Sequence, residues 1–262
     1  MKRILFFLLL VAVATSCIPR KKITYLQQDE DAASTVYSLN RSKYQVQPND
    51  ILNISVRTFD EETAKLFNVE SGRLTNANAG DLIFYLNGFT VDFDGTIEMP
   101  VVGKVSVQGK NTEEIKLIVE DKLQKYFKED AAFVTVQLAG VRYSVVGDVS
   151  RPGKYVIYQN QVNIFEALAQ AGDVSLVGNR QEVQIIRQLP EGVKIYELDL
   201  TDAGVISDPN YFIQPNDIIN VKPLPQKTFG IGTTGFQSFA SVLSVLASAA
   251  TLWITIRSIS QD

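Results

Sequence analysis

Histidine is absent from this 262-residue chain, and cysteine occurs once. Without an imidazole there is no Ser-His-Asp or Cys-His nucleophile, no histidine general base and no His-containing zinc site. A single thiol can form neither an intrachain disulfide nor a CxxC pair, and no metal site or cofactor is expected. Positive charge is also in short supply. Lys and Arg number 25 against 29 Asp and Glu, a net charge of −4, so the basic surplus that drives counterion release on nucleic acid is missing. What the chain does have is an ordinary folded composition, 45% hydrophobic and 21% charged, with its apolar residues crowded at both ends.

At the N-terminus, Lys2 and Arg3 precede an uninterrupted apolar run from Ile4 to Ala14. That length is too short to span a bilayer and suits the core of a secretory signal. The run closes on Ala14-Thr15-Ser16-Cys17, and small residues immediately before a cysteine resemble the bacterial lipobox. Residues 1–16 therefore read as a lipoprotein signal and Cys17 as the acylated first residue of the mature chain; the bland alternative is a buried core thiol. Acyl chains contribute roughly 0.8 kcal/mol per buried methylene, enough when several are present to hold a protein at a membrane. The stretch that follows, up to Arg41, is polar and aperiodic, and a tether with little fixed structure is expected over 17–41.

An internal repeat defines the body. Tyr44-Gln-Val-Gln-Pro-Asn-Asp-Ile-Leu-Asn-Ile54 returns as Tyr211-Phe-Ile-Gln-Pro-Asn-Asp-Ile-Ile-Asn-Val221, with seven of eleven positions identical. Pro48-Asn49-Asp50 and Pro215-Asn216-Asp217 read as tight turns, and the alternating apolar residues after each read as strands. Between them lie two units of strand, loop and helix. Gly103–Val107 leads to Asn111 and Glu114, and Gly153–Ile157 leads to Asn163 and Glu166; Asn three residues before Glu predicts a capping box in each. Ile115, Ile118, Val119, Leu123 and Phe127 form the apolar face of the first helix, and Ile164, Phe165 and Leu168 that of the second, which is expected to end at Gly172. Further short strands are expected over 88–93, 96–99, 133–138, 143–149, 183–187 and 194–198, giving a strand-rich α+β body.

Three segments together resemble the outer-membrane polysaccharide export lipoproteins of the Wza type. Tyr44 to Val56 resembles the opening of the export domain. Val91-Asp-Phe-Asp-Gly-Thr-Ile-Glu-Met-Pro-Val-Val-Gly-Lys-Val105 and its Glu-rich helix resemble that domain's continuation. Tyr143-Ser-Val-Val-Gly-Asp-Val-Ser-Arg-Pro-Gly-Lys-Tyr155, with Ile164 to Gly172, resembles an SLBB-type β-grasp domain. The resemblance implies an export domain over 42–139, a β-grasp domain over 140–223 and a ring oligomer whose periplasmic domains stack beneath a barrel of C-terminal helices. It also implies the outer membrane as location, an exported polysaccharide as cargo and an inner-membrane co-polymerase as partner. Long family members carry two β-grasp copies, whereas this chain has room for one.

The C-terminal segment carries its own signal. No charge occurs from residue 228 to 256, and Gly235 to Ile256 supplies 22 residues, roughly 33 Å of helix against a hydrocarbon core of about 30 Å. A transmembrane helix is expected over 235–258, after a hinge at 224–234. Ser241, Ser244, Ser248, Thr251, Thr255 and Ser258 recur at spacings of 3 and 4; such a hydroxyl stripe would either line a wet lumen or bond to its own carbonyls and to neighbouring helices. Leu243, Leu246 and Trp253 lie on the opposite side, and Phe236, Phe239 and Trp253 suit membrane interfaces. Gly230-Ile-Gly232-Thr-Thr-Gly235 matches GxGxxG, but neither the second strand nor the acidic residue of a dinucleotide site follows, so it reads as part of the hinge.

An oligomeric, non-enzymatic conduit for capsular or extracellular polysaccharide is the leading expectation. The alternatives are a lipid-anchored bitopic scaffold or adhesin without a pore, and a glycoside hydrolase drawing a carboxylate pair from Asp60, Glu61, Glu62, Asp92, Asp94 and Glu98.

Overall fold

The computed structural model describes residues 19–28, 35–68, 88–127, 132–225, 242–248, 251 and 253. Two hydrophobic cores organise them, with Val46 to Val134 in one and Val141 to Val221 in the other.

In the first unit, β1 (Ile51–Thr58) pairs antiparallel with β2 (Phe89–Thr90) on one side and β5 (Ala132–Leu138) on the other. The short helix α1 (Glu61–Lys65) follows β1, and β3 (Thr96–Met99) and β4 (Gly103–Ser106) form a separate hairpin. Of the strand expected over 88–93 only Phe89–Thr90 forms, because the chain turns at once through Asp92 to Gly95. Helix α2 (Thr112–Leu123) begins with the full capping box, Asn111 accepting from the Glu114 amide and the Glu114 carboxylate accepting from the Asn111 amide. Ile115, Val119 and Leu123 on its inner face are buried with Leu52, Ile54 and Val134 of the sheet; each such side chain contributes about 2 kcal/mol of transfer free energy.

The second unit is built on a five-stranded sheet ordered β10-β9-β12-β6-β7, with β6 (Val141–Gly147), β7 (Gly153–Ile157), β9 (Gly178–Leu189), β10 (Gly192–Leu198) and β12 (Ile218–Pro223). β12 runs parallel to β6 and antiparallel to β9. Helix α3 (Ile164–Gln170), flanked by the short pair β8 (Val162–Asn163) and β11 (Phe212–Ile213), repeats the capping box through Asn163 and Glu166. It ends in a Schellman motif, the Gly172 amide donating to Ala169 and the Asp173 amide to Leu168. The coarse α+β architecture is as expected, with β9 several residues longer than its five-residue apolar core suggested.

The tether expectation is corrected for residues 19–28. After a 3₁₀ turn at Arg20–Lys22, the chain forms a strap across the second unit. The Leu26 and Gln27 amides donate to Leu200 and Thr201 carbonyls at 3.1 and 2.7 Å, and the Ala203 amide returns a bond to Gln27 at 3.1 Å. Tyr25 packs edge-on against Phe165 at 5.5 Å, beneath the Arg180 guanidinium at 4.9 Å, and its hydroxyl donates to Asp173. One aromatic ring and a few backbone bonds suffice to order a polar segment when the receiving surface is already folded. Among the described residues no helix is long and apolar enough to cross a membrane. Most of the span expected over 235–258 lies outside them, and 242–248, 251 and 253 are helical.

Where β6 meets β12, Gly147 has φ +87°, and a Cβ there would fall 2.1 Å from the Val221 carbonyl oxygen. Gly103 has φ +78°, and a Cβ there would meet nothing within 4 Å. Gly147→Ala should therefore lower urea-unfolding stability by about 3 kcal/mol, and Gly103→Ala by about 1 kcal/mol, the cost of a left-handed alanine alone. Equal losses would show that the approach of β12 to Gly147 is not a constraint.

Candidate functional site

The repeated motif makes the same device twice. In each copy Pro sits at the second turn position and a positive-φ asparagine at the third, Asn49 at 72° and Asn216 at 67°, the type II arrangement. The Asp amide closes the turn onto the Gln carbonyl, at 3.2 Å in both. The Asp carboxylate then reaches back to accept the Gln amide, Asp50 from Gln47 at 2.9 Å and Asp217 from Gln214 at 2.7 Å. Both carboxylates are only 1% exposed.

Each buried carboxylate has its own set of donors. Asp217 is gripped at both oxygens by Arg187, Nε at 2.9 Å and Nη2 at 2.7 Å, and that guanidinium also donates to Asn210 and, at longer range, to the Phe212 carbonyl. Among the described residues no cation is bonded to Asp50; the Tyr44 hydroxyl donates at 2.7 Å and the Asn216 side-chain amide at 3.3 Å. Burial raises the Asp50 carboxyl to about 6, against the opposing pull of its hydrogen bonds and of nearby Arg142. Burial also raises Asp217, opposed by Arg187. The Tyr44 hydroxyl is held protonated far above its ordinary range by burial and then by the Asp50 charge.

The two turns meet, and their meeting is the joint between the two units. Asn216 of the second turn donates to Asp50 of the first. Arg142, at the start of β6, donates through its guanidinium to the Asn49 carbonyl at 2.9 Å and accepts the Asn216 amide on its own carbonyl at 2.6 Å. Only Ala139 and Gly140 separate β5 from β6, so a two-residue link and this polar clasp act on the same edge. Ser42, Tyr44, Gln47 and Gln214 line a groove beside it that also takes in Glu191 from the β9–β10 hairpin.

The other residues singled out in the sequence are dispersed. Asp60 caps α1, held below the usual carboxylate range first by the Thr63 hydroxyl. Asp94 is lowered to about 2 by Thr96 and Lys104, and Asp92 and Glu98 line an open groove with Phe89 and Met99. Among the described residues no group of three or more His, Cys, Asp or Glu is placed to hold a metal. In the C-terminal helical piece the Ser248 hydroxyl donates to the Ser244 carbonyl at 2.7 Å and Thr251 to Ala247 at 2.9 Å, while Leu243, Leu246 and Trp253 are exposed. Cys17, Phe236, Phe239, Ser241, Thr255, Ser258 and the glycines of 230–235 lie outside the described residues. Tyr44 opens the repeated motif and is marked by it; Arg142, which completes the joint, and Arg187, which holds Asp217 within the second unit, belong to no motif. The one available signal is the pair of identical aspartates following proline, which need donors once buried.

Two measurements test the paired turns. Asp217→Ala leaves the Arg187 guanidinium buried without its carboxylate, and should cost about 3–5 kcal/mol in urea unfolding. For Asp50, the native state holds a proton up to about pH 6 that an unfolded aspartate releases near 3.8. Wild-type stability should therefore fall as pH rises from about 4 to above 6, by about 2 kcal/mol relative to Asp50→Asn. A wild-type-minus-variant difference that is flat over that window would exclude a buried, proton-holding Asp50.

Comparison with known proteins matches each unit to a family model. Residues 38–139 match the model of the polysaccharide biosynthesis/export protein family, and residues 141–221 match that of the SLBB domain. The chain is 27% identical over 195 residues to the capsule polysaccharide export protein BexD of Haemophilus influenzae, an alignment covering 72% of this chain and 46% of that protein. It is also 27% identical over 143 residues to the EPS I polysaccharide export outer membrane protein EpsA of Ralstonia nicotianae, covering 52% of this chain and 36% of that protein. The matches thus span less than half the length of either relative. The clasp of paired turns joins the two matched segments, so the described body is a domain that matches the polysaccharide biosynthesis/export family followed by one that matches the SLBB domain.

Proposed function

We propose that this protein is the subunit of an oligomeric outer-membrane channel through which capsular or extracellular polysaccharide leaves the cell. The observation that carries the reading is the order of parts along one chain. Two basic residues and an apolar run ending near Cys17 come first, then an export domain clasped to an SLBB domain, then 22 residues without charge, Gly235 to Ile256. Cys17 carries the lipid, 235–258 crosses the membrane, and copies assemble as a ring so that their helices enclose the passage. An inner-membrane co-polymerase would feed the periplasmic mouth. A polymer conduit needs several copies, because the passage must be wider than one body with this core encloses.

The hydroxyl stripe faces the lumen in this reading. The back-bonds of Ser248 and Thr251 use each hydroxyl's only proton, and a hydroxyl oxygen in general can also accept from water or sugar. Those same bonds favour the scaffold reading, since they let a serine sit in hydrocarbon at reduced cost.

One experiment tests the anchor that both readings share, and a second decides between them. Intact-mass analysis of the mature protein should show a chain beginning at Cys17 with added acyl mass; an unmodified start at another residue overturns the anchor. Single cysteines at Ser244, Ser248 and Thr251 should react with a membrane-impermeant thiol reagent in intact cells, while those at Leu246 and Trp253 stay protected. Equal labelling of the two sets leaves the helix as an anchor or packing surface without a wet face.

A further inference from the structure

The strap that docks onto the SLBB domain begins with a feature that polymer export leaves unused. Arg20, Lys21 and Lys22 occupy a single 3₁₀ turn. Its backbone is fixed: the Lys22 amide donates to Pro19 at 2.9 Å, the Ile23 amide to Arg20 at 3.1 Å, and the Gln27 side-chain amide to the Lys21 carbonyl at 2.7 Å. The ion pairs among the described residues engage Lys43, Lys65, Lys104, Lys116, Lys222 and Arg187, and none engages these three. Three acids of the surface that receives the strap accept hydrogen bonds from within the chain. Asp173 accepts from Tyr25 and from the Val174 amide, Asp199 from Thr201, and Asp202 from the Gly204 amide.

Three adjacent cations held on one turn repel one another and find no carboxylate partner among the described residues. Water and salt screen that repulsion in solution, and an external anion would add an attraction that the described residues do not supply. The covalent chain says where that anion would be. Cys17 is two residues from Pro19 and three from Arg20, so its Cα lies within about 7 Å and 11 Å of theirs at full extension. Headgroups beside an acylated Cys17 would then sit about one Debye length, 8 Å, from the turn.

We infer that the Arg20–Lys22 turn is a docking surface for anionic phospholipid headgroups, and that the strap turns this local attraction into an orientation of the SLBB domain against the bilayer. The inference rests on the lipid-anchor part of the proposed function. The load path is short: Tyr25 wedged between Phe165 and Arg180, with Leu26 and Gln27 bonded to Leu200, Thr201 and Ala203. The SLBB domain, second in sequence, is then the one pressed to the membrane. The acyl chains and the C-terminal span hold the protein at the membrane, and an adjacent basic patch adds about 1 kcal/mol per cation to whichever orientation brings it to anionic headgroups.

The test uses the full chain, reconstituted into vesicles of phosphatidylcholine alone or mixed with phosphatidylglycerol, with a headgroup-attached nitroxide as quencher. A fluorophore is placed at Ala169→Cys on α3, between Phe165 and Asp173, or at Asp121→Cys on α2 of the export domain. Quenching at 169 should rise when phosphatidylglycerol is present, exceed that at 121, and disappear in 1 M salt, where the screening length is about 3 Å. In R20Q/K21Q/K22Q the docked-to-undocked ratio should fall about fivefold per cation removed, to the level seen in phosphatidylcholine, while vesicle flotation persists. Tyr25→Ala keeps the charges but releases the strap, and should lose the quenching at 169 as well. Quenching that is indifferent to phosphatidylglycerol, or that survives in the triple variant, overturns the inference. Intact mass reports the anchor separately. An unmodified Cys17 with lipid-dependent quenching retained refutes the anchor and supports the headgroup site; an acylated Cys17 without lipid dependence does the reverse.

Discussion

Two carboxylates taken out of water set the terms for the rest of this structure. A buried aspartate is tolerated only where donors surround it, and Asp50 and Asp217 each obtain the first of these from their own turn, through the amide of the glutamine three residues earlier. The remaining donors come from elsewhere. Asp217 is met by Arg187, from the far end of β9, which ties the start of β12 to its sheet neighbour. Asp50 is met by Tyr44 and by Asn216 of the opposite turn. One solution of the desolvation problem closes a domain, and the other joins two domains.

The same turn thus serves different ends because its partners differ. An arginine supplies full charge and two parallel bonds, so Asp217 has an ion-pair partner despite its burial. A tyrosine and an amide supply neutral donors, so the Asp50 carboxyl stays near the point where proton and charge are balanced at about 6. Polarity at the joint confers specificity of orientation: an apolar contact would tolerate sliding, whereas Arg142 and Asn216 must meet particular oxygens of the first turn.

Local features were the legible part. Asn111 and Asn163 announce their helices because a capping box is complete within four residues, and the Pro-Asn-Asp turns because proline and a left-handed asparagine are local demands. The apolar faces of α2 and α3 follow from their period. Arg187 shares the inward face of β9 with Val183 and Ile185 by alternation, but its role was not legible, since its partner lies 30 residues away. The strap was hidden for a related reason. Tyr25 and Leu26 are too few apolar residues to make a period, and their order comes from a surface assembled by residues 165–203. In the export domain, the carboxylates considered as an acid pair became caps and groove walls, because Asp60 and Asp94 are occupied by neighbouring hydroxyls and amides.

The topology of the SLBB sheet also has a temporal side. Its first strand, β6, ends at Gly147, and the strand that lies between it and β9 is β12, which begins at Ile218. No stretch of the chain delivered before residue 218 can complete that sheet, because the middle is still missing. Loop closure over such a separation is slow compared with helix or hairpin formation. A chain crossing a membrane N-terminus first would therefore expose the unfinished flanks of β6 and β9 until β12 had emerged, and in that interval a chaperone that covers strand edges would have the most to protect.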